Sequence, residues 1–193
     1  MTCRLVLLGP PGSGKGTQGA ILAERLGIPT ISTGALFRDQ MARGTALGVE
    51  AQTYIAQGHL VPDRVTNAMV DQRLDGADLA GGFILDGYPR NVDQVAVLDA
   101  MLAKRSIDID AALELTLPEE LIVDRLLKRA VIEGRADDTE PVIRERLKVY
   151  HAETAPIAAL YRGLNALLEV DGLGTVDQVS QRLQDRVDSL AGS

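Results

Sequence analysis

Apolar positions along the chain follow two rhythms, and their alternation predicts the architecture. Continuous runs at Cys3–Leu8 (CRLVLL), Gly81–Asp86 (GGFILD) and Ala111–Leu117 (AALELTL) suit strands covered on both faces. PTIS at Pro29–Ser32 and ALLEV at Ala166–Val170 supply two shorter strands. Helical spacing fills the intervals. Gly14–Leu26 is stopped by Gly27 and Pro29, and Gly34–Arg43 and Leu47–Gln57 are stopped by Gly44 and Gly58. RVTNAMVDQRL follows Asp63 as its expected cap, and VDQVAVLDAMLAKR follows Asn91. A helix begins at Pro118, placed in its first turn, and runs to about Ala130. Periodicity lapses over Val131–Glu140 and resumes from Pro141, with a break expected near Pro156. TVDQVSQRLQDRVDSL closes the chain. Strand alternating with helix reads as α/β, a mostly parallel sheet with helices on both faces.

Length and composition narrow this picture. The 193 residues fit a single domain. Such a domain buries roughly 70% of its unfolded surface, so it needs no disulfide or structural metal. With aromatics at 3% and no Trp, aliphatic side chains must fill the core. A net charge of −7 argues against nonspecific nucleic-acid binding, and a polyphosphate ligand would need cations gathered locally. The lone Cys3 leaves no internal disulfide and no Cys-pair zinc site. No apolar stretch nears the ~20 residues of a membrane span, and Met1–Leu8 does not read as a secretion signal. The expectation is a soluble, cytoplasmic protein with no membrane partner, and, without heptads or an exposed apolar stripe, a monomer.

The stretch GPPGSGKGT, Gly9–Thr17, lies between the first strand and the first helix. Gly9, Gly14 and Lys15 satisfy the G-x-x-x-x-G-K spacing of a phosphate-binding loop in the strand-to-helix context it requires. Glycines let backbone N–H groups converge on one anion, and the helix N-terminus adds partial positive charge. Gly16 follows the lysine, and the hydroxyl arrives one place later at Thr17. That shift puts direct Mg²⁺ ligation by a hydroxyl in question and points away from GTPase switches and motors.

The variant GPPGSGKGT, together with ISTGALFR (Ile31–Arg38), GHLVP (Gly58–Pro62) and LDGYPRNVDQ (Leu85–Gln94), resembles the adenylate kinases of the nucleoside monophosphate kinase family. The likeness runs from Arg4 to the final helix, with motifs in matching order and spacing. It implies a P-loop NTPase-type five-stranded parallel sheet with helices on both faces, plus small mobile NMP-binding and LID insertions. The implied boundaries are CORE 1–31, 62–128 and 136–193, an NMP-binding insertion at 32–61 and a short LID at 129–135. Too few residues separate Arg129 from Arg135 for a long zinc-bearing LID, so no zinc is expected.

The resemblance also assigns residues. Gly12, Ser13, Gly14, Lys15, Gly16 and Thr17 hold ATP, with Arg125 near its adenine, Arg129 on its phosphates and Gly174 beside the base through its backbone. Thr33, which could also be a plain N-cap, is placed near the AMP adenine, and Arg38 on the AMP phosphate. His59, Leu60 and Val61 pack on that base; His59 and His151 are not needed for chemistry. Gly87, Tyr88 and Pro89 offer backbone contacts to AMP, Arg90 meets its α-phosphate and Gln94 its adenine edge. Arg135 and Arg146 bridge the transferring group and AMP, and Asp137 and Asp138 hold these arginines. Asp86 stands where a carboxylate organises Mg²⁺, through its waters. Without the family, Arg125 and Arg129 read more readily as a solvated helix face than as ligands, Gly174 as a turn glycine, and Gly87–Pro89 as a simple turn.

The implied reaction is Mg·ATP + AMP ⇌ 2 ADP by direct in-line transfer, with Lys15, Arg90, Arg135 and Arg146 as the catalytic cations. Two other readings stand beside it. A UMP/CMP kinase shares the fold, but such kinases tend to carry Ala where Thr33 stands and Asn where Gln94 stands. A nucleotide-binding switch without turnover would need no second anion site.

Overall fold

A computed structural model of the chain describes residues 2–134 and 138–190. Five strands, β1 (Cys3–Leu8), β2 (Thr30–Ser32), β3 (Gly82–Asp86), β4 (Ala111–Thr116) and β5 (Leu167–Asp171), form one parallel sheet in the order β2-β3-β1-β4-β5. β1 is central: Leu5 lies opposite Ile84 on one side and Ala111 on the other. The chain first steps from β1 past the future place of β3, returns to fill it, and then crosses to the other side. That reversal opens a crevice at the carboxyl ends of the central strands, where ligands settle in open α/β sheets.

The helices are α1 (Lys15–Leu26), α2 (Thr33–Ala42), α3 (Ala46–Ile55), α4 (Asp63–Arg73), α5 (Val92–Ala103), α6 (Glu119–Glu133), α7 (Glu140–Val149), α8 (Ala155–Gly163) and α9 (Val176–Leu190). Side chains of a strand alternate between faces, so the continuous apolar runs feed two cores at once. Cys3, Leu5 and Leu7 pack with Ile84, Leu113 and Leu115 against α1 and α9 through Leu22, Leu183 and Val187. Val6 and Leu8 point the other way, joining Phe83 and Leu85 against Leu98 and Leu102 of α5 and Ile157 and Tyr161 of α8. Each buried Leu or Ile contributes about 1.5–3 kcal/mol, so this double core dominates stability. Two satellite clusters stand apart. Phe37, Ala51 and Val61 join α2, α3 and the following loop. Ile122, Leu126, Ile143 and Leu147 join α6 to α7.

Several boundaries differ from expectation for local reasons. Asp63 does not cap α4; it is the first helical residue, behind Pro62, and its carboxylate is engaged elsewhere. Pro118 sits at the N-cap of α6 rather than inside it, and α6 continues to Glu133, where Gly134 at φ 64° ends it. The break near Pro156 begins upstream: Tyr150–Thr154 form a wider π-type turn, and α8 restarts at Ala155. Proline lacks the N–H that would extend the α-helical ladder, and the wider turn absorbs the defect. A single tight turn at Ala77–Leu79, too short to leave a periodic signal, leads into β3.

Candidate active site

The glycine loop is shaped to receive an anion. Gly9, Gly12 and Gly14 take φ of 135°, 81° and 99°, values closed to most other residues. A Cβ on Gly9 would sit 2.5 Å from the Leu115 carbonyl oxygen, and one on Gly12 would meet Leu126 Cγ at 2.8 Å. Gly14 caps α1 with no side-chain bond, and the first turn holds no acidic residue. The early N–H groups of α1 therefore remain for a ligand. Lys15 Nζ donates to the loop carbonyls of Gly9 at 2.6 Å and Pro10 at 2.8 Å. Burial pulls its pKa down to about 8; Asp86 opposes the shift, and Arg90 and Arg129 reinforce it.

Across the crevice lies a second wall. Ser32 caps α2 by accepting the Ala35 N–H and also donates its hydroxyl to Asp86 at 3.2 Å. Thr33 is buried and donates to the Gly87 carbonyl at 2.8 Å, so it is the first helical residue and not the cap. Arg90 Nε donates to the same carbonyl at 2.8 Å, while its main-chain oxygen accepts from Thr154 at 2.6 Å. Although Arg90 faces the open crevice, the walls displace bulk water and lower its pKa; Asp86 offsets this, and Arg146 and Arg38 add to it. Five cations, Lys15, Arg38, Arg90, Arg129 and Arg146, are thus linked pairwise across the cleft.

Two further arginines share one anchor. Arg129 donates to Asp138 through Nε at 2.7 Å and Nη2 at 2.9 Å, and Arg146 Nη1 reaches the same carboxylate at 2.6 Å. The Asp138 side chain is 0% exposed, against 27% for Arg129 and 17% for Arg146. A buried carboxylate between two guanidiniums orients both toward the crevice and leaves net positive charge there.

These walls enclose a cleft of about 1130 Å³, larger than the ~300–1,000 Å³ common for one small ligand. From the glycine loop it is lined by Gly12, Gly14, Lys15, Gly16 and Thr17. Thr33 and Arg38 of α2 join it, with His59, Leu60 and Val61 from the loop after α3. Asp86, Gly87, Pro89, Arg90 and Gln94 enter behind β3, and Arg125, Arg129 and Arg146 from α6 and α7.

Three expected contacts stand off the wall. Ser13 is 2% exposed, tucked under the loop. Tyr88 is fully buried in the core, its hydroxyl donating to Asn67 at 2.8 Å. Gly174, at φ 115°, packs beside Gln178 in the loop after β5; that loop touches the cleft lining through Arg125, which donates to the Gly172 carbonyl at 3.4 Å. Arg135 and Asp137 lie outside the described residues. His59 Nε2 is 3.8 Å from Glu145 and His151 is 3.2 Å from Glu119, both exposed. What sequence reading missed is the support beneath the wall: Ser32 on Asp86, Thr154 on Arg90, and Asp63 on Gln94. Single hydroxyls and carboxylates distant in sequence carry no pattern that could have revealed them.

Residues 7–165 match the family model described as adenylate kinase. Among curated relatives, the adenylate kinase of Nocardioides sp. is 50% identical over 190 residues, 98% of this chain and 100% of that protein. The adenylate kinase of Mycolicibacterium vanbaalenii is 56% identical over 179 residues, and that of Mycobacterium tuberculosis 55% over 179; each match covers 93% of this chain and 96% of the relative.

Proposed function

The chain belongs to the adenylate kinase family, and from that premise we propose how its cleft performs ATP:AMP phosphoryl transfer. The enzyme moves the terminal phosphoryl group of ATP to AMP, giving two ADP. In our reading ATP lies along the glycine loop. Backbone N–H groups of Gly12–Thr17 take its phosphates, Arg125 and the Gly174 backbone flank its base, and Arg129 meets its outer phosphates. AMP lies opposite, its phosphate on Arg38 and Arg90 and its base among Thr33, His59, Leu60, Val61, the Gly87–Pro89 backbone and Gln94. Lys15, Arg90 and Arg146, joined by Arg135, gather the charge of the transferring group.

The observation that supports this best is that Lys15 lines one wall of the cleft while Arg38 and Arg90 line the other, with Arg90 near enough to help lower the Lys15 pKa. Two polyanions repel, so their reacting ends meet only where cations offset that repulsion. Arg38 and Arg90 both face the same crevice as Lys15, the arrangement a second anion pocket requires. No general base is needed, because a nucleotide phosphate is already largely a dianion near pH 7, with a second pKa of about 6.

Adenylate kinases use Mg·ATP, and the donor chemistry fits that ion. Asp86 offers a hard carboxylate oxygen at the carboxyl end of β3, beside Ser32. Among the described residues no cluster of three or more His, Cys, Asp or Glu could hold a metal. One carboxylate, acting through water, leaves the remaining coordination to phosphates and solvent. When bound, Mg²⁺ neutralises phosphate charge.

We read the chain with the family's domain division: CORE 1–31, 62–128 and 136–193, an NMP-binding insertion at 32–61 and a short LID. In support, Phe37, Ala51 and Val61 form a small cluster apart from the two main cores, closed on one side by Val65 and Met69 of α4. Residues 129–135 would form the short LID. Both substrate walls come from one chain, consistent with a monomer, and no described helix is long and apolar enough to cross a membrane. We place the enzyme in the cytoplasm.

Incubation with Mg²⁺ and ADP alone tests reaction and acceptor together: ATP and AMP should appear in equal amounts. A panel of AMP, CMP and UMP tests the base pocket, with AMP expected to lead. Preference for CMP or UMP would transfer the assignment to the pyrimidine kinases.

A further inference from the structure

The side-chain amide of Gln94 is held at both ends by protein groups. Its Oε1 accepts the Arg90 main-chain N–H at 2.7 Å, and its Nε2 donates to Asp63 Oδ1 at 2.7 Å. Asp63 is fixed in turn: Asn91 Nδ2 donates to its two carboxylate oxygens at 3.3 and 3.1 Å. Asn91 Oδ1 accepts the Gln94 main-chain N–H at 2.8 Å, closing the ring. Gln94 is 2% exposed yet borders the cleft. Asp63 opens α4 without making a capping bond to it, so its carboxylate serves this wall and not its own helix.

The chemistry of the partners decides which way the amide faces. A carboxylate only accepts, and a main-chain N–H only donates. Turning the amide over would set its N–H against the Arg90 N–H and its oxygen against the Asp63 carboxylate. Both contacts would be lost in a buried site, where an unpaired polar group is costly. A carboxamide has two donor and two acceptor positions. With one of each committed, one donor and one acceptor remain for a ligand. The edge of a 6-amino purine offers an N–H donor at its amino group and an acceptor at N1, which matches. A 6-oxo purine offers the reverse and would match only the turned amide.

We infer that Asp63 is a positioning residue: it locks the Gln94 amide in the orientation that selects a 6-amino over a 6-oxo purine monophosphate at the acceptor site. The inference rests on the reading that Gln94 meets the acceptor base.

The test is steady-state kinetics of the full chain with Mg·ATP as donor and AMP or IMP as acceptor. In Asp63→Ala, the AMP-to-IMP ratio of kcat/KM should fall about tenfold. The change should appear mainly in the KM for AMP, with kcat and the KM for ATP moving far less. Asp63→Asn should shift the ratio the same way, because an amide at 63 can donate as well as accept; it decides the matter if the alanine variant does not fold. Equal rises in both acceptor KM values, with the ratio intact, would mean Asp63 only supports packing, and the proposal fails. Gln94→Leu separates the two layers. If it leaves the ratio intact, Gln94 does not read the base and both readings fall. If it collapses the ratio while the Asp63 variants do not, the positioning claim alone is overturned.

Discussion

Arg129 and Asp138 form a two-pronged pair, Nε to Oδ2 at 2.7 Å and Nη2 to Oδ1 at 2.9 Å, on a carboxylate sealed from solvent. Arg146 Nη1 donates a third bond to the same carboxylate. Removing the carboxylate takes away the negative charge that Arg129 and Arg146 share. Asp138→Ala should lower stability by about 3 kcal/mol, toward the small end for a broken buried pair because both arginines still reach water. Urea unfolding measures this, and kcat should fall in parallel. Unchanged stability would show that the arginines find other partners.

Lys15 gives the cleft a pH signature. Burial holds its pKa near about 8, from an ordinary 10.5. A bound triphosphate favours the ammonium and raises that value again. ATP binding at about pH 8 should therefore take up protons, and affinity should decline as pH rises above about 8. Calorimetry in two buffers of different ionisation enthalpy reads the uptake, which should vanish in Lys15→Arg. The same group makes folding stability rise with pH between about 8 and 10.5, where the unfolded chain keeps a proton that the folded lysine has released.

Water competes with AMP for the terminal phosphoryl group. If closure over both substrates assembles the cation set, ATP hydrolysis without AMP should be negligible beside transfer. Phosphate release measured with and without AMP checks this. Comparable rates would show that the site is complete without its acceptor.

Two glycines of one loop should respond oppositely. Gly9→Ala places a Cβ 2.5 Å from the Leu115 oxygen at a φ of 135° and should destabilise by on the order of 2–3 kcal/mol. Gly16, the second residue of α1, has nothing within 4 Å of an added Cβ. Gly16→Ala should leave stability unchanged or raise it by at most about 1 kcal/mol. Paired denaturation curves decide.

The legibility of this chain differs from element to element. β1 and β3 were visible because strands covered on both faces must be continuously apolar, and Leu5 opposite Ile84 is that requirement met. Asn91 was readable as a cap because its bond to the Gln94 N–H spans one turn. Asp63 misled for the same reason: a carboxylate before a helix looks like a cap, whereas its partner Gln94 stands 31 positions away. Tyr88 sits in a motif that borders the cleft, yet its ring turns into the core, where Asn67 receives its hydroxyl.

The sequence by itself determined the strand–helix alternation, the loop that cradles phosphate and the identity of the cations, because these depend on local periodicity, on glycine φ and on side-chain charge. Tertiary structure alone decided that Asp63 orients the Gln94 amide, and which motif residues face the cleft. Asp63 and Gln94 stand 31 positions apart, and only the packing of α4 against α5 brings them within reach of a hydrogen bond.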